Sequence, residues 1–288
     1  MSDKVLTMRE AVVELVPDGA SVACGLALEA AIPFAFVHEL IRRRRTGLHL
    51  VGPIADAIFD QLVGAGCVSV IEAAWVGNVT TGSGYCFRRA VEHGRPGPVT
   101  AREHSNLTIS LALQAAASGV GYLPTRTALG SDIAGAHDGF APVTCPFSGQ
   151  QLLGVRAVRP DVTVVHVQRA DRAGNAQAWG NLGISPEAIG AAGTVIVVAE
   201  ELVDTAVIRE RPELTLVPGA LVAAVVPEPG GTHPAPLQGY RAHDADAFRD
   251  YAAASATEEG FAGWLDRWVL GVADRAGYLR LLGGGRHG

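Results

Sequence analysis

The spacing of apolar positions changes period along the chain, and each change marks an element. Val5, Met8, Val12, Leu15 and Val16 recur at helical spacing, so residues 6–16 predict an amphipathic helix. The turn PDG (17–19) ends it. SVACGL (21–26) reads as a short buried strand that opens onto a loop of small residues. Pro33 has the fixed φ that suits a first helical position, so PFAFVHELIRRRR predicts a second helix, stopped at Gly47. LHLVG (48–52) predicts a strand, IADAIFDQLVGAG a helix and CVSVIEAAW (67–75) another strand. This strand–helix–strand rhythm is the mark of a parallel sheet covered on both faces. TVVHVQ (163–168), TVIVVAE (194–200) and ALVAAVV (220–226) are near-continuous apolar runs rich in Val. They fit central strands buried on both sides, where alternation is not required. The fold class expected is therefore α/β, an open, mostly parallel sheet with helices on both faces, in one domain over residues 1–288.

The pattern changes again near the C-terminus. From His243 to Leu282 it is helical. FAGWLDRWVLGV sets Phe261, Leu265 and Trp268 on one face with Trp264 adjoining, either to pack on the sheet or to form a subunit interface. The final GGGRHG predicts a frayed tail.

Composition removes several function classes. The chain has 288 residues, 48% of them hydrophobic, enough to bury a large core. A net charge of −6 gives no basic face for a nucleic acid. The one basic run, RRRR (42–45), reads as a solvated helix end complementing the dipole. Lys4 is the only lysine, so a phosphate loop with its internal Gly-Lys-Ser/Thr and a Schiff-base lysine in a pocket are both excluded. Cys24, Cys67, Cys86 and Cys145 form no Cys-x-x-Cys pair and no zinc-spaced cluster, and read as buried thiols of a reducing compartment. MSDKVLTMRE lacks the apolar core of a signal peptide, and TVIVVA (194–199) is too short to cross a bilayer. A cytoplasmic location is expected, with no membrane or nucleic-acid partner and no metal.

In open α/β sheets ligands bind beyond the carboxyl ends of the strands. The loops placed there are CGLALEAAIP (24–33), WVGNVTTGSGY (75–85), REHSN (102–106), PTRTALGSDI (124–133) and PEPGGTHP (227–234). Glycine lets backbone approach a ligand and present free N–H groups. The Gly-x-Gly at 82–84 lacks the third glycine of a dinucleotide fingerprint. In VTAREHSN (99–106), Ser105 or Asn106 is a good N-cap for LTISLALQAAASG. Glu103 then sits just ahead of a helix N-terminus, near its partial positive charge. Arg102 and Glu103 read either as surface ion pairs or as site residues. His104 and His137 read as hydrogen-bonded bystanders before they read as bases.

TAREHSNLTISLALQAAASGVGYLPTRTALGSDI (100–133) resembles the acidic-Asn-helix block of the A subunit of glutaconate CoA-transferase and its relatives, the class I CoA-transferase family. ADRAGNAQ (170–177), PEPGGTHP (227–234) and IPFAFVHELIR (32–42) resemble three further motifs of that family. The resemblance runs over nearly the whole chain. It implies the NagB/RpiA/CoA-transferase type of α/β fold and a B-type partner chain of the same family, usually in an α2β2 assembly with the active site between subunits. It also implies a coenzyme A thioester as substrate, with no permanently bound cofactor. In the transferases the glutamate that carries CoA as a thioester belongs to the B-type chain, and no SENG-like stretch is present here. Relatives carry GGF after the first strand, where backbone N–H groups can meet a thioester oxyanion. Here the stretch is ACGLAL, with Gly25 alone retained. A related branch opens a sterol ring by hydrolysis, with a glutamate in an ARE stretch as base, and another decarboxylates an acyl-CoA.

The expected function is therefore the α subunit of a two-subunit acyl-CoA enzyme, transferring CoA between carboxylic acids. Glu103 is the catalytic candidate, and Gly25, Asn78, Arg102, Asn106 and Arg126 are the candidate substrate contacts. Arg126 would meet a carboxylate bidentately, or else pair with Asp132. One alternative is an acyl-CoA hydrolase or lyase with Glu103 as general base, its pKa raised by apolar walls. Another is a non-catalytic structural subunit.

Overall fold

A computed structural model describes residues 3–54 and 56–285. Seven strands run parallel in the order Val222–Pro227, Thr194–Leu202, Val162–Ala170, Ser21–Ala23, Leu48–Ile54, Val68–Trp75, Thr100–Glu103. The sequence runs outward in both directions from its middle. Two short strands, Ala176–Gln177 and Thr215–Val217, add an antiparallel flank. The Val-rich run Val162–Ala170 is central and almost wholly buried, as its lack of alternation requires.

Helices cover both faces and divide the core in two. One core holds Met8–Leu15, Phe34–Arg42 and Asp56–Gly64 against the sheet, with Phe34, Phe36 and Phe59 fully buried. Burying one such side chain stabilises the fold by about 1.5–3 kcal/mol. The other core packs Asn106–Ala117 against Ser185–Ala191 on the opposite face. The predicted elements are recovered with shifted ends. The first helix starts at Met8, capped by Thr7 in a reciprocal box with Glu10. The first strand stops at Ala23, because Gly25 takes φ +70 and turns the chain.

Five expectations need correction. RRRR is not simply a solvated helix end: Arg42 Nε donates to the carbonyls of Val269 and Val272, and Arg45 donates to those of Val12 and Val13. Of the four cysteines, Cys24, Cys67 and Cys86 are buried, whereas Cys145 is only half-buried. Burial pushes the Cys24 and Cys67 thiols up to about 12, so they are inert at neutral pH. The loop 124–133 does not follow a strand of the parallel sheet. It follows Tyr122–Thr125, which pairs antiparallel with Gln151–Arg156 in a separate three-stranded sheet completed by Phe140–Thr144. The C-terminal helices Ala245–Ser255, Glu258–Leu265 and Arg275–Gly285, with the wide turn Asp266–Leu270, pack on the helical layer and not on the sheet. Gly283–Gly285 continue the last helix where a tail was expected, and 286–288 lie outside the described residues.

Among the described residues no helix is long and apolar enough to cross a membrane. No group of three or more His, Cys, Asp or Glu side chains among them is placed to hold a metal ion.

Candidate active site

The carboxyl ends of the parallel strands form one edge, and most of the candidate residues lie along it. Gly25 follows Ser21–Ala23. Two strands away, Asn78 follows Val68–Trp75, and next to that Arg102 and Glu103 end Thr100–Glu103. Asn106 opens the helix that follows. Arg126 belongs to the other, three-stranded sheet.

The stretch AREHSN is divided by the backbone into a buried half and an exposed half. Parallel register sets Arg102 beside Glu72 and Glu103 beside Ala73. Alternation along the strand therefore turns Arg102 toward Glu72 and Glu103 away from it. Glu72 is buried, with a side chain 2% exposed. It accepts from Nε2 of His104 at 3.1 Å, while Nε2 of His49 stands at 2.9 Å and Arg102 at 3.6 Å as ion-pair contacts. Burial by itself would raise the Glu72 carboxyl, but the hydrogen bonds and charges of His104 and His49 outweigh it and hold it well below the usual range. His104 in turn places Nδ1 3.1 Å from the Thr108 hydroxyl. Thr108 completes the cap of helix Asn106–Ala117 with Ser105, whose side chain accepts from the Thr108 amide. One buried carboxylate thus fixes strand end, histidine and helix start together.

Glu103 is exposed, without the apolar walls expected around it, and its carboxylate bonds no described residue. Its backbone is held: the Glu103 carbonyl accepts from Nε2 of His137 at 2.9 Å, while the Gly139 amide donates to Nδ1 of the same ring at 3.0 Å. These two bonds require the neutral tautomer with its proton on Nε2. Burial lowers the His137 pKa and agrees with that form. The His137 ring lies 4.9 Å from that of His104 and 4.6 Å from that of Phe140, joining the three-stranded sheet to this edge.

Asn78 is buried rather than presented. Its Nδ2 donates to Asp56 at 2.9 Å and its Oδ1 accepts from the Thr80 amide at 2.8 Å. Asp56 is 2% exposed, carries a left-handed backbone at φ +54, and leaves Oδ2 without a partner. Burial pushes its carboxyl up to about 7, against the opposing bonds from Asn78 and the Ala57 amide. Gly25 is buried, and no described residue accepts a hydrogen bond from its amide or from that of Leu26. The loop is held by Gly183, whose α-carbon passes so close that a side chain there would collide with the Leu26 carbonyl. Arg126 is exposed, and among the described residues no ion pair joins it to Asp132. Asn106 is exposed, with its side-chain amide bonding no described residue.

The family-like motif 170–177 and the loop 227–234, read as a ligand loop, are both occupied with structure. In 170–177, Asp171 accepts the Ala173 and Asn175 amides, and Asn175 accepts the Gly219 amide, making a tight hairpin turn. In 227–234, Arg275 donates to the carbonyls of Gly230 and His233, tying the loop to the last helix. Sequence reading missed Glu72, His49 and Asp56. Glu72 had a readable signal, a carboxylate inside the apolar run CVSVIEAAW.

The model of the family described as Coenzyme A transferase matches residues 5–228. The chain belongs to the coenzyme A transferase family. Within it, the chain is 38% identical to the A chain of 3-oxoadipate CoA-transferase from Pseudomonas knackmussii, over 94% of this chain and 95% of that one. It is 28% identical to the cholesterol ring-cleaving hydrolase IpdA subunit of Mycobacterium tuberculosis, over 83% of this chain and 84% of the relative. Among solved structures, glutaconate coenzyme A-transferase from Acidaminococcus fermentans superposes with a TM-score of 0.90 at 28% identity, over 98% of this chain and 94% of that chain. The decarboxylase AibA/AibB superposes at 0.80 with 29% identity, over 93% and 100%. The family contains transferase, hydrolase and decarboxylase members, so membership establishes the enzyme class of the fold and leaves the reaction to the site.

Proposed function

We propose that this chain is the α subunit of a two-subunit CoA-transferase, moving CoA between carboxylic acids in the cytoplasm. Whole-length likeness to the corresponding chains of two transferases carries this reading. The partner is a B-type chain, and the active site lies where it meets the carboxyl edge of this sheet. A glutamate of that partner attacks the acyl-CoA carbonyl, and the C–S bond breaks to release CoA thiolate and leave an acyl-glutamyl anhydride. The thiolate then attacks the glutamyl carbonyl, giving glutamyl-CoA thioester and free acid. The acceptor acid reverses both steps. Here the amides of Gly25 and Leu26 stabilise the tetrahedral oxyanion. Asn78 and Asp56 fix the adjoining loop. Arg126 meets a distal carboxylate of a dicarboxylic acyl group, consistent with its exposed guanidinium, which pairs with no carboxylate among the described residues.

A second reading has its own support. The Glu103 carboxylate bonds no described residue, its backbone is pinned by His137, and Asn106 stands at the adjoining helix start. That suits a general base acting on water or on a C–H bond of an acyl-CoA, without any acceptor acid. The chain would be co-expressed with its B-type partner, and the complex given a panel of acyl-CoAs, with and without acceptor acids. Mass spectrometry would follow the products. CoA transfer that survives Glu103→Ala supports the transferase. Acyl-CoA consumption without an acceptor, abolished by Glu103→Ala, replaces it with the hydrolase or lyase.

A further inference from the structure

A cavity of about 580 Å³ lies between helices Phe34–Arg42 and Asp56–Gly64 and the C-terminal helices that roof them. That volume is within the usual range for a small-molecule site. Its walls are aromatic: Phe248, Tyr251, Trp264 and Trp268 face it. Much of the roof comes from residues beyond 228, outside the span that the family model matches.

Two polar groups stand in these apolar walls. His38 is 1% exposed, and neither ring nitrogen makes a hydrogen bond of good geometry. Gln61 is 2% exposed and its Oε1 is likewise without a partner. Buried polar groups are nearly always hydrogen-bonded, and Gln61 can serve only one nitrogen of the ring, so the other indicates a missing partner. Burial, with the nearby charges of Arg275 and Arg42, lowers the His38 pKa far enough to keep the ring neutral. Gln61 is the polar side chain beside the ring and suits its N–H, which leaves the second nitrogen as a bare acceptor. The edges of Phe34 and Trp264 fix the ring at centroid distances of 6.3 and 6.2 Å. Asp246, Asp250 and Arg267 also line the cavity; Asp246 is paired with Arg249, and the Arg267 guanidinium stacks on Trp268 at 5.0 Å. The neutral ring itself supplies no charge for an anion.

We propose that this cavity is a second binding site, taking a neutral, ring-bodied molecule whose hydroxyl donates to His38. The aromatic walls would take the ring body, and the orphaned nitrogen would select for the hydroxyl.

The test uses the full-length chain in complex with its B-type partner, given three probes: 2-naphthol, naphthalene and 2-naphthoate. Trp264 and Trp268 line the cavity, so binding is read as quenching of tryptophan fluorescence. The expected result is saturable binding of 2-naphthol, with naphthalene about fivefold to tenfold weaker for want of one hydrogen bond. 2-Naphthoate should bind more weakly still. His38→Leu should bring 2-naphthol down to the level of naphthalene. Ala254→Phe, which fills the cavity from its opposite wall, should abolish both. Absence of saturable quenching by 2-naphthol overturns the proposal. Equal affinity for naphthalene and 2-naphthol does so too, as does binding unchanged by Ala254→Phe in a folded protein. The probe comparison and Ala254→Phe decide the matter if His38→Leu does not fold.

Discussion

Replacing Glu72 by Gln changes one atom of a 2%-exposed side chain and removes the only charge its three neighbours share. His104 and His49 stand at 3.1 and 2.9 Å, and Arg102 at 3.6 Å. Glutamine offers one acceptor oxygen, and its amide group turns a donor toward the remaining cation. Removing one partner of a buried ion pair costs about 3–5 kcal/mol, because the other charge stays buried without compensation. Arg102 is only half-buried and water recovers part of that, so the expected loss at pH 7 is about 3 kcal/mol. A domain has about 5–15 kcal/mol to lose, so the variant folds but at a clearly lower urea midpoint. The acid response supplies a second, independent reading. Glu72 has a folded pKa well below that of the unfolded chain, so its contribution is complete above about pH 4.5 and falls away as pH drops below that value. Wild type should therefore lose stability more steeply than Glu72→Gln on acidification from pH 5 to pH 3. Urea unfolding at several pH values measures both effects. A loss below about 1 kcal/mol at pH 7, with parallel acid limbs, would refute the view that Glu72 anchors this edge.

Asp56 should behave with the opposite sign. Its folded pKa of about 7 exceeds the unfolded value, so wild type loses stability as pH rises from about 4 to 7. Asp56→Asn should remove that slope and be more stable than wild type at pH 8 by about 2 kcal/mol, as thermal or urea unfolding would show. Gly183→Ala drives a methyl into the Leu26 carbonyl and demands φ +52 of an alanine. It should cost about 2–4 kcal/mol and lower kcat with the loop that carries Gly25, checked by calorimetry and steady-state kinetics. Arg126→Ala should raise KM about tenfold or more for an acyl-CoA with a distal carboxylate, and leave that for a monocarboxylic acyl group unchanged.

How far the sequence reveals this molecule depends on how local each determinant is. The sheet was legible because burial on both faces forces Val runs such as TVIVVAE to be apolar throughout, and no distant contact is needed to see it. An N-cap at Ser105 or Asn106 was legible for the same reason, and the structure places it at Ser105, whose partner Thr108 lies three residues away. What was not legible is where a side chain's partner comes from far along the chain. Arg42 in RRRR looks like a solvated end until its bonds to Val269 and Val272 are seen, 227 and 230 residues later. PTRTALGSDI follows a strand, as expected, but strand pairing assigns that strand to a different sheet. AREHSN shows most plainly how the two levels divide. Its residue types and position before a helix mark it as a place of interest, yet the sequence does not say which member faces inward. The register of one strand pair decides that: Arg102 beside Glu72 commits Arg102 and His104 to a buried network and leaves Glu103 as the carboxylate turned outward. The orientation of Glu103 at this edge therefore depends on Glu72, a residue about thirty positions upstream in the adjacent strand, whose oddity as a lone charge in an apolar run was the one signal available.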